Sequence, residues 1–214
     1  MKRQGEDNMI SLQVMITVCV QLLAFVYLGM KSQKRLSRKK QWVLCVSSIL
    51  STIGISWGIY QNTEDICAFT RFITLYQILF CIAVIDYQYK IIPNFLLLVG
   101  MGCQFVCSFF THSIQNSSWM QIVHPNIIGF FGSIFLLLLI YLLSRQSIGF
   151  GDVKLFGVIG FYTDFPFSFT VLFFALLFSS LCAILCLVFK QKTRKDTLPF
   201  GPFVFLGFLL TLWI

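Results

Sequence analysis

Ile148-Gly149-Phe150-Gly151-Asp152-Val153-Lys154-Leu155 closes one long apolar run and opens another. An ionisable side chain is expensive in hydrocarbon, so an acid at such a junction marks a functional position with a partner to be found. Asp86 is that partner by the same reasoning. It also ends an apolar run, just before Tyr87-Gln88-Tyr89-Lys90-Ile91-Ile92-Pro93-Asn94. Gly149 and Gly151 remove bulk on both sides of Phe150 and permit unusual backbone angles, so another chain can come close. Two carboxylates, an opened backbone and a membrane boundary point to acid/base hydrolysis of an extended peptide.

Composition agrees with a boundary of that kind. The 214 residues are 57% hydrophobic and only 11% charged, with a mean hydropathy of +0.84. A soluble domain carries about 25% charged residues, so the chain reads as an integral membrane protein. The 25 phenylalanines are bulk for packing against lipid and other helices. All eight cysteines lie within apolar segments. Cys103/Cys107 and Cys182/Cys186 share helix faces at i,i+4, but no facing ligands complete a metal set, so they read as small buried apolar residues. No metal and no disulfide framework is expected. His112 and His124 fall in one polar loop and read as solvated.

In chain order, eight spans are predicted, each near the roughly 20 residues needed to cross. They run over 9–30, 42–60, 66–85, 93–111, 126–143, 153–165, 167–189 and 198–214. The sixth is short and its end loosely defined near Pro166. The polar break after the third covers 86–92, with Pro93 in the first turn of the next helix; a polar loop covers 112–125. Met9 to Met30 is too long and too poorly followed by small residues for a cleaved signal, and reads as a retained helix. The fold class is thus an all-α polytopic helix bundle. It divides into an N-terminal pair with its basic loop (1–65) and a core carrying both aspartates (66–214).

Lys31 to Gln41 holds six basic residues. Such runs mark cytoplasmic loops, which explains this one better than nucleic-acid binding does; lipid is the expected partner and nucleic acid is not. With that loop inside, Lys90, Arg145, Lys154, Lys190, Lys192, Arg194 and Lys195 also fall inside, giving thirteen of the sixteen basic residues. Both termini then lie outside. Asp86, Asp152 and the start of the last span at Leu198-Pro199-Phe200-Gly201-Pro202-Phe203 all come to the cytoplasmic face.

Two carboxylates brought together share one proton, and their apparent pKa values separate. One can then take a proton from water while the other donates to the peptide. Neither a covalent intermediate nor a cofactor is required. Which aspartate is the base stays open. Lys154 either steadies a developing negative charge or snorkels to the surface. Pro199 and Pro202 cannot donate backbone hydrogen bonds, so the last helix starts irregularly, near the active site or simply as a cap.

Gly149-Phe150-Gly151-Asp152 with Lys154-Leu155 resembles the GxGD motif of the type IV prepilin leader peptidases, membrane-embedded aspartic peptidases. Asp86 with Ile92-Pro93-Asn94 is similar to that family's first aspartate segment, and Pro199-Phe200-Gly201-Pro202 to its C-terminal Pro-Phe-Gly-Pro. The resemblance implies catalytic Asp86 and Asp152, supported by Pro93, Gly149, Gly151, Lys154, Pro199, Gly201 and Pro202. It implies as substrate a prepilin or pseudopilin precursor: a short basic leader, a glycine, then one apolar helix. The implied location is the inner or plasma membrane, with cleavage at its cytoplasmic boundary. Three departures stand out. The interval Lys31 to Gln41 is too short for the domain with paired Cys-x-x-Cys motifs that many members carry, so the chain resembles compact, peptidase-only members. No glycine-rich loop for S-adenosylmethionine is evident, so N-methylation is not expected. Asn94 stands where many members have an acid.

Two rival classes compete. A small transporter could couple Asp86 and Asp152 to protons or cations; both acids at one face, and no visible inverted repeat, argue against it. A non-catalytic scaffold could use the aspartates as helix caps, Asp152 being placed to cap a helix at Val153.

Overall fold

The computed structural model describes residues 66–115, 118–143, 149–189 and 198–214. Among these residues every element is a helix. The order is α1 (Ile66–Tyr89), α2 (Asn94–Gln115), α3 (Trp119–Leu143), α4 (Phe150–Tyr162), α5 (Phe165–Val188) and α6 (Gly201–Thr211). The two predicted N-terminal spans, the basic loop between them and the Lys190–Thr197 cluster lie outside the described residues.

Among the described residues, four segments are long and apolar enough to cross a membrane: Ala68–Tyr89, Asn94–Ser113, Trp119–Leu143 and Phe165–Val188. At 1.5 Å per residue, the 13 residues of α4 rise about 20 Å, short of a hydrocarbon core of about 30 Å.

Three boundaries differ from the sequence reading. First, α1 does not stop at Ile85 but continues to Tyr89. Lys90 then ends it in the left-handed region at φ 54°, with its N–H donating to the Asp86 carbonyl at 2.8 Å. Polar side chains at a span's end stay helical when they can point outward, and Tyr87 is 72% exposed. Pro93 accordingly stands just before α2, not in its first turn.

Second, the expected polar loop at 112–125 is largely helical. α2 runs to Gln115, helped by Ser113 bonding back to the Phe109 carbonyl at 3.0 Å. α3 starts at Trp119 and passes through Pro125. His112 is half-buried, stacked on Trp119 with ring centroids 4.2 Å apart; His124 is an exposed residue of α3. The two histidines therefore do not share a loop.

Third, α4 begins at Phe150 and ends at Tyr162 without reaching Pro166. Asp164 opens α5, its carboxylate accepting the Phe167 N–H at 3.0 Å. Pro166, in the first turn, has no N–H to leave unsatisfied.

The described residues form two compact units. The first comprises 66–81 and Phe95–His124. Ile73, Leu75, Tyr76, Ile78 and Leu79 are buried there beside Thr70, Thr74 and Thr111. Two of the threonine hydroxyls bond within their own helix: Thr74 donates to the Thr70 carbonyl at 2.9 Å and Thr111 to the Cys107 carbonyl at 2.8 Å.

The second unit, Ile82–Asn94 with Pro125–Ile214, is built around α4. Val153, Leu155, Phe156, Val158 and Ile159 are all buried. Small residues let the helices approach, the usual device where lipid removes a hydrophobic drive between helices. Gly129 of α3 and Gly160 of α4 meet backbone to backbone. Beside them Ser133 Oγ and Ser168 Oγ are hydrogen-bonded at 2.6 Å. α5 packs on α6 where Gly207 lies so close that an added Cβ would stand 2.7 Å from the Val171 carbonyl oxygen.

Candidate active site

The site is assembled from four parts of the second unit. Asp86 occupies the last turn of α1 and is 6% exposed; Asp152, the third residue of α4, is 9% exposed. Both line one open cavity of about 760 Å³.

Asp86 has a partner that is remote in sequence. Its Oδ2 accepts the Gly201 N–H at 2.7 Å in a buried hydrogen bond between residues 115 apart, and the Phe200 amide faces the same carboxylate. These are the first amides of α6, where unsatisfied donors favour negative charge. Each residue of the motif has a part in this. Gly201 has no Cβ, and one placed there would stand 3.0 Å from Asp86 Oδ2. Pro202 sits in the first turn, where its missing N–H is harmless. Pro199 lines the cavity. Pro-Phe-Gly-Pro is thus both a helix start, beginning at Gly201 rather than at Leu198, and a wall of the site.

Asp152 is held differently. The N-terminal cap of α4 is Gly149, not Asp152; Asp152 reaches back so that Oδ2 accepts the Gly149 N–H at 3.2 Å. Burial, and second the negative charge of Asp86, push the Asp152 carboxyl up to about 7, against the Gly149 hydrogen bond that acts to lower it. The two acids are therefore near enough to interact.

The glycines work by absence of bulk rather than by unusual angles. Gly149 has φ −71° and no described glycine has positive φ. A Cβ at Gly151 would stand 3.2 Å from Ile92 Cβ, so this glycine lets the segment around Pro93, itself buried, pack against the start of α4. Lys154 is exposed. Its Nζ donates to Asn94 Oδ1 at 3.2 Å and lies 5.2 Å from the Phe150 ring centroid.

One wall of the cavity was not anticipated. Leu176, Ser179, Ser180 and Ala183 of α5 line it, at spacings that put them on one helix face. Ser179 and Ser180 donate to the Leu176 and Leu177 carbonyls at 3.0 and 2.8 Å, so they present a small, internally satisfied surface. Adjacent serines inside a Phe- and Leu-rich run were the available signal. Among the described residues, no three His, Cys, Asp or Glu side chains cluster as metal ligands.

A sequence model of the type IV leader peptidase family matches residues 73–188. The chain belongs to that family. The match takes in Asp86, Gly149, Gly151, Asp152 and Lys154, while Pro199–Pro202 lies beyond it. The prepilin leader peptidase/N-methyltransferase of Bacillus subtilis (strain 168) is 25% identical over 167 residues, which make up 78% of this chain and 62% of that protein. The chain thus spans less than two thirds of that relative's length. No solved structure matches. With four apolar helices of spanning length and this family membership, it is a multi-pass membrane protein.

Proposed function

We propose that the chain is an aspartic endopeptidase that removes the short basic leader of a prepilin-like or pseudopilin precursor at the cytoplasmic boundary of the membrane. One observation carries this reading: two carboxylates, each more than nine-tenths buried, line the same open cavity. Family membership supports it, as does the name of the Bacillus subtilis relative.

The chemistry is a single addition of water. A water proton passes to one aspartate while the oxygen attacks the peptide carbonyl carbon, whose oxygen takes a proton from the other aspartate. Collapse breaks the C–N bond. The first aspartate passes its proton to the leaving nitrogen, and the second recovers one from the diol, so acid and amine leave with the pair restored.

The cavity would hold the cut site, and the small, satisfied face of α5 would lie beside the precursor's apolar helix. The proposed topology has eight spans with both termini outside, an N-terminal pair over 1–65 and a peptidase core over 66–214, since this places thirteen of the sixteen basic residues inside. The proposal covers hydrolysis alone, because the 31–41 interval is too short for the cysteine-bearing domain found in many relatives.

Co-expression with a leader-bearing precursor tests it. Wild type should shorten the precursor; Asp86→Ala and Asp152→Ala, at equal membrane abundance, should leave it whole. Processing that survives either substitution refutes the pair. A wild type that cuts nothing but carries protons into liposomes would install the transporter reading instead.

A further inference from the structure

We propose that the Gly201 amide divides the labour between the two carboxylates. It fixes Asp86 as the ionised group that takes the proton from water, and leaves Asp152 as the group that donates to the peptide carbonyl. This deepens the peptidase reading and rests on it.

The two acids are held asymmetrically. At 2.7 Å the Gly201 N–H to Asp86 Oδ2 bond has the length of a charge-assisted contact. It comes from the start of α6, where Phe200 supplies no side-chain acceptor. Phe203, the next residue with an N–H, already donates to the Phe200 carbonyl at 3.0 Å. Asp86 is thus the acceptor this helix end is offered, and negative charge is favoured there. Lys90, one turn on, adds its positive charge.

Asp152 has one longer hydrogen bond, 3.2 Å from a part-buried amide. It shares the cavity with Asp86, whose negative charge acts on it. Lys154, the other cation on the cavity wall, is turned to Asn94. α5 brings only two serines whose hydroxyls are already bonded within the helix. Donors and positive charge gather on Asp86, so the pair's negative charge rests there and its proton on Asp152.

The test is the pH dependence of cleavage by the full chain in liposomes. The substrate is a synthetic precursor with a basic leader, a glycine and one apolar helix. Wild type should give a bell-shaped kcat profile. In Gly201→Ala, where the Cβ displaces the Asp86 carboxylate, the acid limb should move to higher pH by about half to one unit, kcat should fall about tenfold, and KM should stay within about twofold. Gly149→Ala should instead move the alkaline limb upward.

If Gly201→Ala moves the alkaline limb, the roles are reversed and the proposal fails. Uniform loss at every pH, with neither limb displaced, makes the contact merely structural and also overturns it. Should Gly201→Ala not fold, exposed Lys90→Gln carries the same test: the acid limb moves upward, and an unmoved limb refutes the assignment. A wild type that cuts nothing removes the peptidase reading and this proposal together, whereas wild-type cleavage with the wrong limb moved removes this proposal alone.

Discussion

Gly160→Ala should separate the helices that frame the site, and the structure gives the size of the effect. A methyl carbon there would overlap the Gly129 carbonyl, standing 2.5 Å from its carbon, and would strike Ser133 Oγ. Carbon atoms settle at roughly 3.5 Å, so α3 and α4 must part by about 1 Å. The Gly129 carbonyl is backbone and cannot swing aside, and Ser133 Oγ can do so only by giving up its bond to Ser168. The Ser133–Ser168 bond, which ties α3 to α5 at 2.6 Å, would be lost whether Ser133 turns away from the new methyl or α3 moves. Overpacking costs about 1–3 kcal/mol and the lost bond about 1 kcal/mol. The better helix propensity of alanine offsets about 1 kcal/mol of this, leaving a net loss of about 2 kcal/mol. Gly102 is the control: a Cβ there meets nothing within 4 Å, so Gly102→Ala should be neutral or gain up to about 1 kcal/mol. Reversible unfolding in mixed micelles, followed by circular dichroism, measures both. If the two variants agree within about 0.5 kcal/mol, the glycine contact is not what holds α3 against α4.

Other substitutions test the site from different directions. Asp152 holds its proton up to about 7 in the folded chain against an ordinary 3.8. The folded state therefore binds the proton more tightly, and stability should fall as pH rises from about 4 to 7 and level off above. Asp152→Asn should flatten that slope; an unchanged slope would place the responsible group elsewhere. Cleavage by wild type should decline as pH rises past about 7, where the folded chain gives up the proton on Asp152. Lys154→Ala removes an exposed contact to Asn94 and a ring contact, so denaturant titration should show a stability change below about 1 kcal/mol; a larger change would show that Lys154 bears on Asp152 after all.

Much of the site was legible because acids stand out in an apolar chain. Asp86 and Asp152 each interrupt a hydrophobic run, and burial in lipid makes such interruptions costly enough to notice. Helix ends were less legible. Tyr87, Gln88 and Tyr89 read as a break yet stay helical, and 112–125 read as a loop although most of it is helix, because polarity marks where a span leaves hydrocarbon and not where hydrogen bonding stops. The unusual backbone angles expected of the glycines are not what the structure shows. The glycines provide space for Ile92, Asp86 and neighbouring helices at ordinary angles.

What the chain alone determined is the helical class and the two acids, since hydropathy and backbone bonding in lipid leave helices as the economical way to bury such runs. What only the folded arrangement decided is who meets whom. An apolar helix such as α5 shows little phase in its sequence, so Leu176, Ser179, Ser180 and Ala183 become a cavity wall only when α5 takes its place in the second unit. Likewise no local pattern says that the amide of Gly201 will close on Asp86. A hydrogen bond spanning that much chain is made by packing, which brings the open end of one helix to the acid at the end of another.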